Sequence, residues 1–218
     1  MKVYKFYSSR WAYEALVRQR LKVTTLEDIN DPFEFGAVAA SDKDQRRVLN
    51  RLRKKIMKGK GIISFSTSWE SPVLWSHYAD SHRGIALGFD VPDSILTKID
   101  YRHDRPLLDD YISSDQSLDF EIAPALISIK AAEWGYEDEV RLFLKLSEAD
   151  RVSGQYFADF DDNLKLSEIV IGENYKSTGK NVWQQALEDS GVKVVTARMA
   201  FNTFRMTPQR NKNLWKTL

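Results

Sequence analysis

Residues 130–145 read KAAEWGYEDEVRLFLK. The run Val140–Leu144 is apolar apart from Arg141 and reads as a strand, yet Glu137, Asp138 and Glu139 stand directly ahead of it. Neighbouring carboxylates repel and strands disfavour them. Either that strand end is solvated, or the acids belong to a site. The preceding apolar run, Ala125–Lys130, reads as a partner strand, and the segment AAEWGYED between them reads as their connection.

Outward from this pair, strand and helix patterns alternate irregularly. KVYKFY alternates as a short strand. A helix follows over SSRWAYEALVRQR, with a serine cap candidate and Trp11, Leu16 and Val17 on its apolar face. LKVTT is a second strand and ends in the turn DINDPFEFG. Residues 41–57 form a basic amphipathic helix with Ser41 as candidate cap and Val48, Leu49, Leu52 and Ile56 on its apolar face. GIISFSTSW is β-rich. SPVLWSHYADSHRG carries strong helix punctuation, with Ser71 as cap, Pro72 at the first position and Gly84 just past the end. IALGFDV and EIVIG are further strands, residues 99–118 a polar loop ending in a short helix, KSTGKNVWQQALEDSG a helix, and VKVVTARM a closing strand. The pattern predicts a single compact α+β domain over residues 1–218, not a doubly wound parallel sheet.

The chain has 218 residues, 43% of them hydrophobic, enough for a sizeable core, and a net charge of +1 that supplies no overall reason to bind a polyanion. With no cysteine, disulfide frameworks and cysteine-based nucleophiles or metal sites are excluded. No apolar run approaches the roughly 18 residues a membrane span needs, and the N-terminus lacks a signal-peptide pattern. A cytoplasmic protein without membrane contact is the expectation. Local charge is uneven: residues 46–60 hold eight basic residues and no acid, and a basic C-terminal segment of about residues 198–218 follows the last acid, Asp189. Such a distribution offers a basic face to a polyanion, or simply a solvated helix and tail.

Four segments carry candidate chemistry: Tyr4 and Lys5 on the first strand; Asn30, Asp31 and Phe33 in the NDPFE turn; Ser66, Thr67 and Ser68 at a strand end; and Glu137 with Glu139. His77 and His82, five residues apart, lie on different sides of a helix and do not form a metal pair. No metal site is expected, and His77 is a buried polar partner or a pocket-lining residue. No glycine-rich phosphate loop or nucleophile elbow is present.

Taken in order, INDPFE, SFS, LWSHYADSHRGIALGFD and KAAEWGYEDEVRL resemble the bacterial family catalogued as domain of unknown function 2971. The matching positions are Tyr4, Lys5 and Phe6; Asn30 to Glu34; Trp75, His77, Tyr78, Ala79 and Gly84; and Trp134, Tyr136, Glu137, Glu139 and Arg141. Ile29 stands where that family usually has phenylalanine. More distantly, a basic residue on a first strand, Ser-Thr-Ser on a later one and Glu-x-Glu on another is similar to the ADP-ribosyltransferase superfamily. Lys5 departs from the arginine or histidine usual there.

That resemblance implies a split β-sandwich with flanking helices and NAD as substrate. It places Glu139 as the catalytic carboxylate and Glu137 beside it to orient or deprotonate the acceptor. Lys5 or Tyr4 would anchor NAD, and Ser66, Thr67 and Ser68 would shape the nicotinamide side. Asn30, Asp31, Phe33, Trp75, His77 and Tyr78 would line the rest, with Phe33 or Trp134 stacking on a ring. Breaking the ribose–nicotinamide bond builds positive charge on the sugar, which a carboxylate stabilises. The implied protein is a bacterial toxin or phage-defence effector that modifies nucleic acid or protein and is held in check by an inhibitory partner. The alternative is a non-enzymatic nucleic-acid- or protein-binding module, in which Glu139 pairs with Arg141. Convergence of Lys5, Ser66 and Glu139 on one cleft separates the two.

Overall fold

The computed structural model describes residues 1–25, 33, 36–111, 122–146, 153–177 and 191–218. Among them the strands are β1 (Lys2–Tyr7), β2 (Arg20–Val23), β3 (Lys60–Ser66), β4 (Ile85–Asp90), β5 (Leu96–Lys98), β6 (Asp100–Arg102), β7 (Ile129–Ala131), β8 (Glu139–Lys145), β9 (Tyr156–Asp159), β10 (Lys165–Ile171), β11 (Lys193–Met199) and β12 (Met206–Pro208). The helices are α1 (Ser9–Arg18), α2 (Lys43–Met57), α3 (Pro72–Tyr78) and α4 (Ile122–Ser128). Eight strands form one mixed sheet in the order β12-β11-β10-β4-β1-β3-β8-β5, and β2-β9 and β6-β7 make two small ribbons. The protein is thus mixed α/β, built on one large sheet with few helices. Among the described residues no helix is long and apolar enough to cross a membrane.

Both faces of the central strands are buried, which is why β4 reads IALGF without a polar interruption. On one face Val3, Leu87, Phe89, Ile169, Ile63 and Phe65 pack beneath α1. On the other, Tyr4, Ala86 and Val170 pack with Trp75 of α3 and with Val195 and Met206. Helix α1 turns Ala12, Ala15 and Leu16 inward, whereas Trp11 and Val17, expected on that face, are exposed. Small alanines let the helix approach the sheet, and the Arg10 guanidinium covers Trp11 from outside.

Three elements differ from expectation. Residues 122–128 are helix rather than strand, because Ala125 and Leu126 bury against Leu49 of α2. Ile129–Ala131 then pairs in parallel with β6, not with β8. Asp42, not Ser41, caps α2, its carboxylate accepting from the backbone N–H groups of Asp44 and Gln45. Helix α3 stops at Tyr78, and Asp80, Ser81 and His82 follow with φ of 47°, 53° and 66°. The chain leaves the helix through this left-handed run and enters β4 at Gly84. A Cβ on Gly84 would stand 2.0 Å from the Tyr7 carbonyl oxygen and 2.8 Å from that of Ala79. The helix expected over KSTGKNVWQQALEDSG lies almost wholly outside the described residues.

Candidate active site

Strand β1 pairs with β4 from Lys2 to Tyr7, and β3 pairs with β8 from Lys60 to Ser66. Between β1 and β3, however, the register holds only Tyr4 opposite Ser66. Beyond that pair the strands part. The place β1 leaves beside β3 is taken by Thr24, which exchanges backbone hydrogen bonds with Ile62 at 2.8 and 2.9 Å. Backbone groups of alternate residues point the same way along a strand edge. Ile62 meets Thr24, Ser66 meets Tyr4, and Ser64 between them faces the gap.

A cleft of about 270 Å³ opens in this gap. Tyr4, Lys5 and Phe6 line it from β1, and Ser64 and Ser66 from β3. Tyr78, Lys130, Glu137 and Glu139 close the far side. Because Ser66 registers with Tyr4 on one side and with Glu139 on the other, one rung carries all three onto the same face. The Lys5 ammonium crosses the gap and donates to the Ser64 carbonyl at 3.1 Å. Its burial lowers its pKa to about 8.

The three successive acids are separated by backbone geometry. Asp138 is left-handed, with φ 43°, and turns outward to bond the Thr67 hydroxyl. Glu137 and Glu139 turn inward, with only 7% and 4% of their surface exposed. Glu137 closes a 3₁₀ turn over Ala132–Glu137, whereas Glu139 begins β8. Solvated acids in a hairpin are therefore ruled out. The Tyr78 hydroxyl donates to Glu137 at 2.6 Å, and Lys130 Nζ lies 2.6 Å from Glu137 and 3.0 Å from Glu139.

Arg141, wholly buried, grips Glu139 through Nε at 2.7 Å and Nη2 at 3.2 Å. Burial alone would raise the Glu139 carboxyl. Arg141, Lys130 and the Ser64 hydroxyl overcome this and hold it at about 2. The Tyr78 hydroxyl is pushed up by burial and by Glu137. The Tyr101 hydroxyl accepts from the Glu139 N–H at 2.8 Å and is pushed to about 12, chiefly by burial. Two carboxylates face two cations here, leaving Lys5 as a further positive charge that lines the cleft with no carboxylate partner within ion-pair distance among the described residues.

The other expected positions fall elsewhere. Tyr4 lines the cleft but turns its hydroxyl away from Ser66, donating to Glu168 at 2.7 Å across Gly88. Thr67 and Ser68 form the rim, where Ser66 Oγ donates to the Ser68 carbonyl at 2.9 Å. Trp75 is fully buried core, its Nε1 donating to the Trp69 carbonyl. His77 is exposed, 3.3 Å from the Tyr136 hydroxyl, and is neither the buried polar partner nor among the residues lining this cleft. Phe33 is 60% exposed with the Arg105 guanidinium over its ring. Asn30 and Asp31 lie outside the described residues. Lys130 and Tyr101 are not singled out by the sequence, although Lys130 precedes the acids within the segment 130–145, whereas the pairing of Arg141 with Glu139 is among the sequence expectations and is present. Among the described residues no group of three or more histidine or acidic side chains is placed to hold a metal ion.

The fold and cleft define a mixed α/β protein with a buried, charge-balanced carboxylate pair at a split in its central sheet. A scan against protein-family models, a search of curated proteins and a search of solved structures each gave no match.

Proposed function

We propose that the cleft binds the nicotinamide–ribose end of NAD and that the protein, which resembles the family catalogued as domain of unknown function 2971, is an ADP-ribosyltransferase. The observation that carries this reading is the convergence of Lys5, Ser66 and Glu139 on one cleft. The parting of β1 from β3 supports a split β-sandwich, since it divides the large sheet into a five-strand and a three-strand half joined at one pair. A cleft of about 270 Å³ is just below the roughly 300–1,000 Å³ of drug-sized sites. It suits a ring and a ribose rather than a whole dinucleotide. The diphosphate then lies toward Lys5, whose charge it would neutralise.

In the reaction the bond from ribose C1′ to nicotinamide breaks, and nicotinamide leaves with the bonding pair. C1′ becomes oxocarbenium-like, and the acceptor nucleophile attacks it while losing a proton. Glu139 is anionic and rigidly held, as a group that meets developing positive charge must be. Glu137, at the end of the 3₁₀ turn and bonded by Tyr78 and Lys130, is the base toward the acceptor. The setting is a cytoplasmic toxin or phage-defence effector that acts on nucleic acid or protein and has an inhibitory partner.

A second reading has its own support. The two-point grip of Arg141 on Glu139 makes the acids a buried structural network in a binding module. One experiment separates the two. Purified protein is incubated with labelled NAD and cell extract, beside Glu139→Gln, Glu137→Gln and Lys5→Met, with folding checked by circular dichroism. Label transferred by the wild type and lost in folded glutamate variants supports the transferase. Nuclease or protease treatment of the product then identifies the acceptor class. No transfer and no NAD consumption by folded protein would overturn it in favour of the binding module.

A further inference from the structure

Among the described residues, the most solvent-exposed aromatic rings lie far along the chain from the cleft residues. Phe201 and Phe204 are 89% and 99% exposed, in the loop between β11 and β12. The loop is nevertheless tightly built. Met199 registers with Met206, and the Ala200 N–H donates to the Arg205 carbonyl at 2.9 Å. The rings are thus presented on a closed hairpin rather than on a tail.

Cations flank these rings on both sides. The Arg198 guanidinium lies 4.4 Å over the Phe201 ring. Arg205 follows Phe204 and pairs with Glu70 at 3.1 Å, an exposed contact that a phosphate can displace at little cost. After Asp189 the chain holds Lys193, Arg198, Arg205, Arg210, Lys212 and Lys216 and no acid. Asn202 and Thr203 separate the two rings, and among the described residues no ring contact joins them. Two separate plates, with Met199 66% exposed beside them, are bracketed by a cation at each end. They match a chain of stackable bases joined by phosphates.

The hairpin is also tied to the cleft's rim. The Met206 N–H donates to the Glu70 carbonyl at 2.8 Å, and Met206, Val195 and Ala197 pack on Trp69 in the same buried cluster. Glu70 and Trp69 directly follow Ser66–Ser68.

We propose that the loop Ala200–Arg205 docks single-stranded nucleic acid, with Phe201 and Phe204 stacking on bases and Arg198 and Arg205 meeting the flanking phosphates. This rests on the transferase reading insofar as it names nucleic acid as the acceptor. Its test needs neither NAD nor catalysis. Fluorescence anisotropy is measured with labelled 12-nucleotide single-stranded RNA and DNA, with the matching duplexes, and with anionic phosphatidylglycerol vesicles. The proteins are wild type, Phe201→Ala/Phe204→Ala and Phe201→Tyr/Phe204→Tyr.

The expected result is preference for single strands over duplex, weakened at least about tenfold by the double alanine variant and retained by the double tyrosine variant. Affinity should also fall steeply with salt. Both rings are solvent-exposed, so the variants keep the fold, which circular dichroism confirms. Wild-type affinity in the alanine variant would overturn the proposal. So would equal binding of duplex and single strand, or binding of vesicles alone. A transferase with no strand binding would leave the enzyme standing and remove the docking loop. Strand binding without transfer would do the reverse.

Discussion

Tyr4 and Ser66 are the single Cα pair that holds β1 to β3, and the cleft begins where that pair ends. A sheet that parts between two strands exposes backbone groups and side chains of both faces to one opening. Lys5 and Phe6 are neighbours on β1 and would face opposite ways in an unbroken sheet. Both line the cleft here. The split is therefore what lets a polar wall of Ser64, Ser66 and Glu139 meet a cation from the next strand.

Arg141 and Glu139 should behave as one unit. Arg141→Met leaves a buried carboxylate with Lys130 as its one nearby cation, at an expected cost of about 3–5 kcal/mol. Combined with Glu139→Gln, the penalty should fall short of the sum of the two single changes by about 1–3 kcal/mol. Urea denaturation of the four proteins measures this. Simple additivity would mean that the two side chains do not depend on each other.

Acid should unfold the protein partly through Glu139. Its carboxyl titrates at about 2 in the folded chain and near 4.5 when unfolded. Between those values the unfolded state holds more protons, so stability falls as pH falls. The contribution is fully present above pH 4.5 and disappears as pH approaches 2. Its size is about 3 kcal/mol. Denaturation midpoints from pH 6 down to pH 2.5 should drop less steeply in Glu139→Gln than in the wild type.

Much of this site was readable because its chemistry depends on residue type and order. Lys5, Ser66, Glu137 and Glu139 stand out as a cation, hydroxyls and acids at strand ends, and the structure brings these four together. Their pairing was less readable. Whether Glu139 faces solvent or Arg141 depends on α4, whose Ile127 carbonyl accepts from Arg141 Nη1 at 3.2 Å. Residues 125–130 alternate like a strand, and only burial of Leu126 against α2 makes 122–128 helical. Local pattern carries no information about that distant partner. Asp138 is similar: its left-handed turn separates three adjacent acids, and no spacing rule announces it.

Gly84 is required by close approach rather than by its own backbone angles. A Cβ there meets the Tyr7 and Ala79 carbonyl oxygens, both backbone atoms that cannot swing aside. Gly84→Ala should push α3 away from β1 and destabilise the fold by about 2 kcal/mol or more, as overpacking of a tight core does. Because Tyr78 ends α3 and lines the cleft, ligand binding should weaken as well. Gly135→Ala, where a Cβ meets nothing within 4 Å, is the control. Thermal unfolding of both variants tests the contrast, and equal melting temperatures would refute it.

Lys5 should set the pH range over which the cleft accepts an anion. Its ammonium, lowered to about 8 by burial, is charged at pH 7 and mostly neutral at pH 9. If the charged form alone attracts a diphosphate, affinity for ADP should fall roughly tenfold between those pH values, in step with the competent fraction. Lys5→Met should bind weakly and without pH dependence. Lys5→Arg should keep binding at pH 9, since a guanidinium does not deprotonate in this range. Isothermal titration calorimetry with ADP at pH 7, 8 and 9 measures all three proteins. A wild-type affinity that stays flat across that range would remove Lys5 from the anion site and leave it as a tether between β1 and the Ser64 carbonyl.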